Sequence, residues 1–319
     1  MKREASIETA VLFLVFNRPE TTARVFEAIR AAAPKRLYVA ADGPRPDRPG
    51  EASRCAEVRG VASRADWPCE LHTLFRDHNL GCKLAVSQAI TWFFEHEEEG
   101  VILEDDVLPV PSFFPFCEAL LERYRDDARV AMIGGCNHLT QRHRGPASYF
   151  FSAHINIWGW ATWRRAWSAY DVRMQAWPGW DAAGGLLQWL NGNRCMADYW
   201  RWQFDRSHRA RVDTWDYQWI FACWRAHGLT VLPSHTLTLN LGFGPDATHT
   251  VKEAPDFVRL AAPRDVALPL LHPELVEADP VTEQLIQRHV LGLTRLRCLR
   301  RAVKSALQRR LSARPRDPA

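Results

Sequence analysis

Gly100-Val101-Ile102-Leu103-Glu104-Asp105-Asp106 is a short apolar run that ends in three consecutive carboxylates. The apolar part suits a strand buried in a sheet, and the acids then fall at its carboxyl end. Three further runs upstream share this grammar. Val11–Phe16 is continuously apolar and leads into Asn17-Arg18-Pro19-Glu20, where Pro19 suits the first turn of a helix over Thr21–Ala33. Leu37–Ala41 closes on Asp42-Gly43-Pro44, a turn signal. Glu70–Phe75 leads to Asn79-Leu80-Gly81 and the amphipathic stretch Gly81–Phe94, and a helix through Cys55–Ala62 precedes it.

Strands that alternate with helices predict βαβ units and a mostly parallel sheet. In such sheets ligands bind beyond the carboxyl ends of the strands. Four polar clusters fall there, and their convergence says more than any one of them. Arg129–Ile133 reads as a further strand, Tyr217–His227 as a helix and Thr230–Leu232 as a short strand. The stretch between is rich in Gly and Trp and shows no clean alternation. Trp160, Trp163 and Trp167 recur at helical spacing, which reads as one packed helix face. A Trp in that region could instead stack on the apolar face of a sugar.

Bulk properties bound the reading. A chain of 319 residues suits one large α/β domain or two lobes around a cleft. The net charge is +4, but nine Lys/Arg and one acid lie from Arg295 onward, leaving the rest of the chain at −4. The acidic body, with no recognised module, argues against nucleic-acid binding. From about Pro280 the chain reads as a helix in which Leu296, Leu299, Val303, Leu307 and Leu311 line one face. Its basic flanks predict contact with an anionic membrane surface. The eight Cys form no CxxC pair and read as reduced residues, with Cys117 and Cys223 in apolar contexts. The apolar run Ala10–Phe16 is too short for a signal peptide or a span. The expected location is the cytoplasm, with the tail on the inner face of the cytoplasmic membrane.

A strand end with adjacent carboxylates suits a hard divalent cation, Mn²⁺ or Mg²⁺, held by one or two carboxylates together with phosphates. Taken alone the same triplet also reads as a solvated loop or a helix cap. Asp42 reads as a site residue or as a turn residue bonding its own backbone. Asp213-Thr214-Trp215-Asp216 resembles a capping box, so Asp216 reads as a catalytic base or as a helix cap.

Phe16-Asn17-Arg18-Pro19, Ala41-Asp42-Gly43-Pro44, Asn79-Leu80-Gly81, Glu104-Asp105-Asp106, Trp215–Trp219 and Gly242–His249 together resemble the nucleotide-diphospho-sugar transferase superfamily with the A-type glycosyltransferase fold. Within it the similarity is to the N-acetylglucosaminyltransferase I type and to bacterial haemolysin-like sugar transferases, over about Val11 to His249. The resemblance implies a single mostly parallel nucleotide-sugar-binding sheet flanked by helices, with a Trp-rich acceptor lobe; the C-terminal amphipathic helix lies beyond the part it covers. The expected division of the chain is a nucleotide-sugar-binding half at 1–135, an acceptor-binding and catalytic half at 136–255, and an extension with the basic amphipathic helix at 256–319. The resemblance also implies an inverting transfer from a nucleotide-diphosphate sugar, a UDP-sugar, to a glycan, lipid-linked or protein acceptor. Arg18 then meets the diphosphate, Asp42 reads uracil, Lys83 and Asp105 bind the donor, Asp106 holds the metal, His249 lies near the diphosphate, and Asp216 is the base. A sugar-1-phosphate nucleotidyltransferase is expected to carry a Gly-rich loop after the first strand, and Phe16–Pro19 has none. A non-catalytic carbohydrate- or membrane-binding protein on the same fold is the other alternative.

Overall fold

The structure, a computed structural model, describes residues 6–139, 145–243, 262–294 and 296–299. Its first half alternates as expected: β1 (Val11–Val15), α1 (Pro19–Ala32), β2 (Arg36–Ala41), α2 (Glu51–Ala62), β3 (Glu70–Phe75), α3 (Gly81–His96) and β4 (Glu99–Glu104). Pro19 opens α1, where its missing N–H costs nothing. Then follow β5 (Val107–Pro109), α4 (Phe113–Arg123), β6 (Val130–Gly134), β7 (Tyr149–Ser152) and β8 (Trp160–Trp163). Short helices α5 (Arg164–Trp167), α6 (Trp177–Ala182) and α7 (Gly185–Trp189) lead to α8 (Arg194–His208) and α9 (Asp216–Arg225). The described chain continues through β9 (Leu229–Pro233), β10 (Thr238–Asn240) and α10 (Pro280–Leu285).

Eight strands form one sheet in the order β3-β2-β1-β4-β8-β6-β9-β7. β1 runs parallel to β2 and β4, and β2 parallel to β3. β8 is antiparallel to both its neighbours, β4 and β6, and β7 is antiparallel to β9. All five residues of β1 are buried, and they serve two cores in alternation. Val11, Phe13 and Val15 join the cluster that contains residues of α1, α2 and α4. Leu12 and Leu14 join the opposite one, made with α3 and the Trp-rich helices. A strand so placed needs apolar residues at every position, which is why its sequence shows no alternation.

The Trp residues depart from the expected helix. Trp160 and Trp163 lie on β8, and only Trp167 of that trio is helical. Trp160 enters the core of the Trp-rich helices and Trp163 the opposite one, as positions three apart on a strand require. Trp160 stacks on Trp215 with ring centroids 5.7 Å apart and an interplanar angle of 19°. Truncating such a residue to Ala costs about 3–5 kcal/mol.

The C-terminal region is also not one continuous helix. α10 passes into a π-helical turn at Ile286–Val290, and 296–299 is helical again. Cys298 forms a disulfide with Cys195 at the start of α8, against the expectation of reduced thiols throughout, while Cys117 and Cys223 are free and buried. Leu296 and Leu299 are exposed, and the expected positions Val303, Leu307 and Leu311 lie outside the described residues. Among the described residues no helix is long and apolar enough to cross a membrane.

Candidate functional site

Because β1, β2 and β4 are parallel and adjacent, their carboxyl ends share one edge of the sheet. That edge carries Phe16-Asn17-Arg18, Asp42 and Glu104-Asp105-Asp106, and a cleft of about 400 Å³ opens over it. Arg18, Asp42, Glu104, Asp105, Asp106 and Asp216 all line this cleft. The volume falls within the ordinary range of small-molecule sites.

Arg18 is the hub of the acidic end. Its Nη2 donates to Oδ1 of Asp105 at 2.6 Å and its Nη1 to Oδ2 of Asp106 at 2.8 Å. Asp105 is 2% exposed and accepts a second bond, from the Phe16 backbone N–H at 3.0 Å. Burial raises the Asp105 pKa, and the Arg18 charge opposes that rise. Glu104 is pushed up to about 8, first by desolvation and then by the charges of Asp106 and Asp105. Burial works against the Arg18 charge, yet Asp105 and Asp106 outweigh it and hold its proton more firmly. The strand β10 pairs with β5 and brings Asn240 and Gly242 over this cluster. The Leu241 N–H donates to the Asp106 carbonyl at 2.7 Å. Gly242 lies so close that a Cβ there would collide with Oδ2 of Asp106.

Asp42 and Asp213 serve one helix start. The Asp42 carboxylate accepts the N–H groups of Gly43 at 2.9 Å, Leu80 at 3.0 Å and Gly81 at 3.2 Å. Desolvation raises its pKa against those bonds. Asp213 accepts from Cys82 at 3.0 Å and Lys83 at 3.1 Å. Leu80 offers no side-chain cap, so carboxylates far away in the chain satisfy four successive N–H groups at the start of α3.

The expected capping box does not form. α9 starts at Asp216 itself, its N-cap is Trp215, and no side chain caps it. Asp213 is engaged at α3, and Trp215, 2% exposed, fixes the chain between. Oδ1 of Asp216 accepts from the Thr214 hydroxyl and from the Tyr217 N–H at 2.9 Å. Asp216 remains partly exposed in the cleft. Lys83 lies in the first turn of α3, but its side chain is not among those lining the cleft. His249 lies outside the described residues.

Two cations of the cleft escaped the sequence reading. Arg45 is held by Glu51, which is fully buried and accepts from the Arg45 N–H at 2.7 Å, from its Nη2 at 2.5 Å and from Asn17 Nδ2 at 2.8 Å. These bonds, those of Arg45 foremost, pull Glu51 down to about 2. The Arg45 guanidinium lies 5.5 Å from the Phe16 ring centroid. Arg76 donates to Gln88 at 3.0 Å, and its Nη1 is buried with no hydrogen-bond partner among the described residues. The position of Arg45 just after the Asp42-Gly43-Pro44 turn was the available clue. Arg76 gave none, because it lies one residue beyond a half-polar strand, like many surface arginines. The cleft thus pairs guanidinium groups, suited to an anion, with carboxylates suited to a cation or a proton.

No protein-family profile matches this chain, and no characterised protein matches it in sequence. Among solved structures it is similar to HddC from Yersinia pseudotuberculosis, with 8% identity and a TM-score of 0.30 over 49% of this chain and 77% of that one. It is also similar to a UDP-glucose pyrophosphorylase complexed with UDP-glucose, with 11% identity and a TM-score of 0.26 over 46% of this chain and 62% of that one. The second match therefore spans under two thirds of its relative. Likeness at this level assigns neither a family nor an activity.

Proposed function

We propose that this protein is a glycosyltransferase that moves a sugar from a nucleotide-diphosphate donor, a UDP-sugar, to an acceptor hydroxyl with inversion. The observation that carries the reading is the gathering of Arg18, Asp42, Asp106 and Asp216 on one cleft at the carboxyl ends of parallel strands. Those residues come from motifs that resemble the A-type glycosyltransferases. Arg18, with Arg45 and Arg76 lining the same cleft, meets the negative charge of the diphosphate. Asp42, on the same cleft, reads the uracil of the donor. Asp216 takes the proton from the acceptor hydroxyl. The acceptor oxygen then bonds to the anomeric carbon, and the bond from that carbon to the diphosphate oxygen breaks. The acceptor is a glycan, a lipid-linked saccharide or a protein.

A divalent cation, Mn²⁺ or Mg²⁺, fits this donor set in one way. Among the described residues no three His, Cys, Asp or Glu side chains converge into a cage. These ions often take one or two carboxylates and complete their shell with phosphate oxygens. Asp106, whose side chain is 15% exposed, is the residue that would hold one. Such an ion supplies charge neutralisation on the departing diphosphate. Titration calorimetry of UDP with Mn²⁺ against the Asp106→Asn variant tests the reading. Loss of Mn²⁺-dependent UDP binding with an intact fold is expected, and unchanged affinity would overturn it.

A further inference from the structure

The acidic cluster already holds a cation of its own. Arg18 spans Asp105 and Asp106 with one nitrogen to each, and its side chain is 19% exposed. The two carboxylates differ in their freedom. Asp105 is buried and also tied to the Phe16 N–H, so it needs a counter-charge in every state. Asp106 faces the cleft, and the oxygen it gives to Arg18 is the one against which Gly242 packs. A metal ion arriving alone therefore meets a carboxylate already paired to a guanidinium. A diphosphate arriving alone meets a guanidinium already paired to two carboxylates, and their charge repels it. Each ligand removes the obstacle to the other: phosphate oxygens draw Arg18 off Asp106, and a divalent ion restores the balance of charge.

We propose that Arg18 is a switch that makes the divalent cation and the nucleoside diphosphate bind as a linked pair, opening Asp106 to the metal when the diphosphate takes the guanidinium. The proposal rests on the nucleotide-diphosphate reading of the cleft given above. Linkage requires the effect to be reciprocal, so UDP must tighten Mn²⁺ by the same factor by which Mn²⁺ tightens UDP. Asp105 keeps its contact with Arg18 and acts as the pivot.

The experiment measures free Mn²⁺ by electron paramagnetic resonance, and UDP by calorimetry, on the whole chain. In the native protein each ligand should tighten the other by about tenfold or more, within the ordinary range of coupling between sites. In Arg18→Met the switch is gone, so Mn²⁺ alone should bind about tenfold more tightly than to the native protein, and the coupling should fall to about threefold or less. Arg18→Lys, which keeps the charge but not the two-armed contact, should lie between and serves if Arg18→Met does not fold. Equal Mn²⁺ affinity in native protein and Arg18 variants, without nucleotide, overturns the switch. UDP binding that ignores Mn²⁺ overturns the linkage while leaving the nucleotide reading intact. If UDP binds under no condition, the nucleotide reading falls and the linkage with it, while the Mn²⁺-only comparison still decides whether Arg18 guards Asp106.

Discussion

Gly81 opens α3 directly beneath the carboxylate of Asp213, with φ at +79°, and a Cβ at Gly81 would stand 2.8 Å from Oδ2. The contact joins residues 132 positions apart in sequence, and it sets the loop that carries Asp216 against the helix that borders the strand ends. Asp213→Ala removes the cap and is expected to cost about 0.5–2 kcal/mol in urea denaturation. Gly81→Ala adds backbone strain of about 1–3 kcal/mol and displaces the same carboxylate. The double variant should therefore lose less than the sum of the two. Full additivity would show that the residues act independently.

Asp216→Asn separates binding from chemistry. The amide keeps the size of the side chain and can still accept from the Tyr217 N–H, but it cannot take a proton. UDP affinity should persist while turnover falls by about 10²–10⁴. Asp213→Asn keeps one good acceptor for the α3 N–H groups and should lose at most about tenfold in turnover, about 1.4 kcal/mol. A dead Asp213→Asn beside a live Asp216→Asn would move the base to Asp213.

The bond between Cys195 and Cys298 closes a long loop, its ends 103 positions apart in sequence. Cys195→Ser, or reduction of the native protein, should lower stability by about 2–4 kcal/mol. A matched pair of truncations isolates the effect. Ending the chain after Leu299 keeps the bond and should leave the melting temperature near that of the whole chain. Ending it before Arg295 removes Cys298 and should reproduce the loss seen in Cys195→Ser. Equal melting temperatures for the two truncated chains would assign the bond no stabilising role.

His154 predicts a pH dependence. It is deeply set, although part of its surface reaches solvent, and desolvation pushes its pKa down to about 4 from an ordinary 6.5. The unfolded chain then binds a proton between pH 6.5 and 4 that the folded chain refuses. The contribution of neutral His154 is complete above pH 6.5 and is lost as pH falls toward 4. At about 1.4 kcal/mol per unit the loss is up to about 3 kcal/mol. Burial pushes His138 down across the same window, to about 3, so His154→Gln should reduce but not abolish the slope of the stability profile in denaturant titrations, and an unaltered slope would refute the assignment.

The parallel half was legible because β1, β2 and β4 each announce themselves twice, by an apolar run and by the polar cluster at its end. Arg18, Asp42 and Asp106 were found that way, and the structure places them on the same cleft. The antiparallel strand β8 was not legible. Trp160 and Trp163 are both buried, on opposite faces, and their spacing of three imitates a helix. The role of Asp213 was hidden for another reason. A local cap has a sequence signature, whereas a carboxylate that caps a helix 130 residues upstream has none. Glu51 illustrates the same limit: an acid in the first turn of α2 looks like a favourable helix charge, but it is wholly buried and devoted to Arg45 and Asn17.

The place of β8 between β4 and β6 bears on how the protein is made. β4 is complete once Glu104 has left the ribosome, but the partner for its open edge is Trp160–Trp163. At about 5–20 residues per second, the intervening chain takes several seconds to synthesise. During that interval an apolar strand presents unpaired N–H and C=O groups, the feature that recruits foreign strands. β6 must wait longer for its other neighbour, since β9 begins at Leu229. The first half of the sheet therefore cannot reach its final form as an independent unit during translation. Its nascent chain carries that open edge until the tryptophan-bearing segment arrives to close the gap.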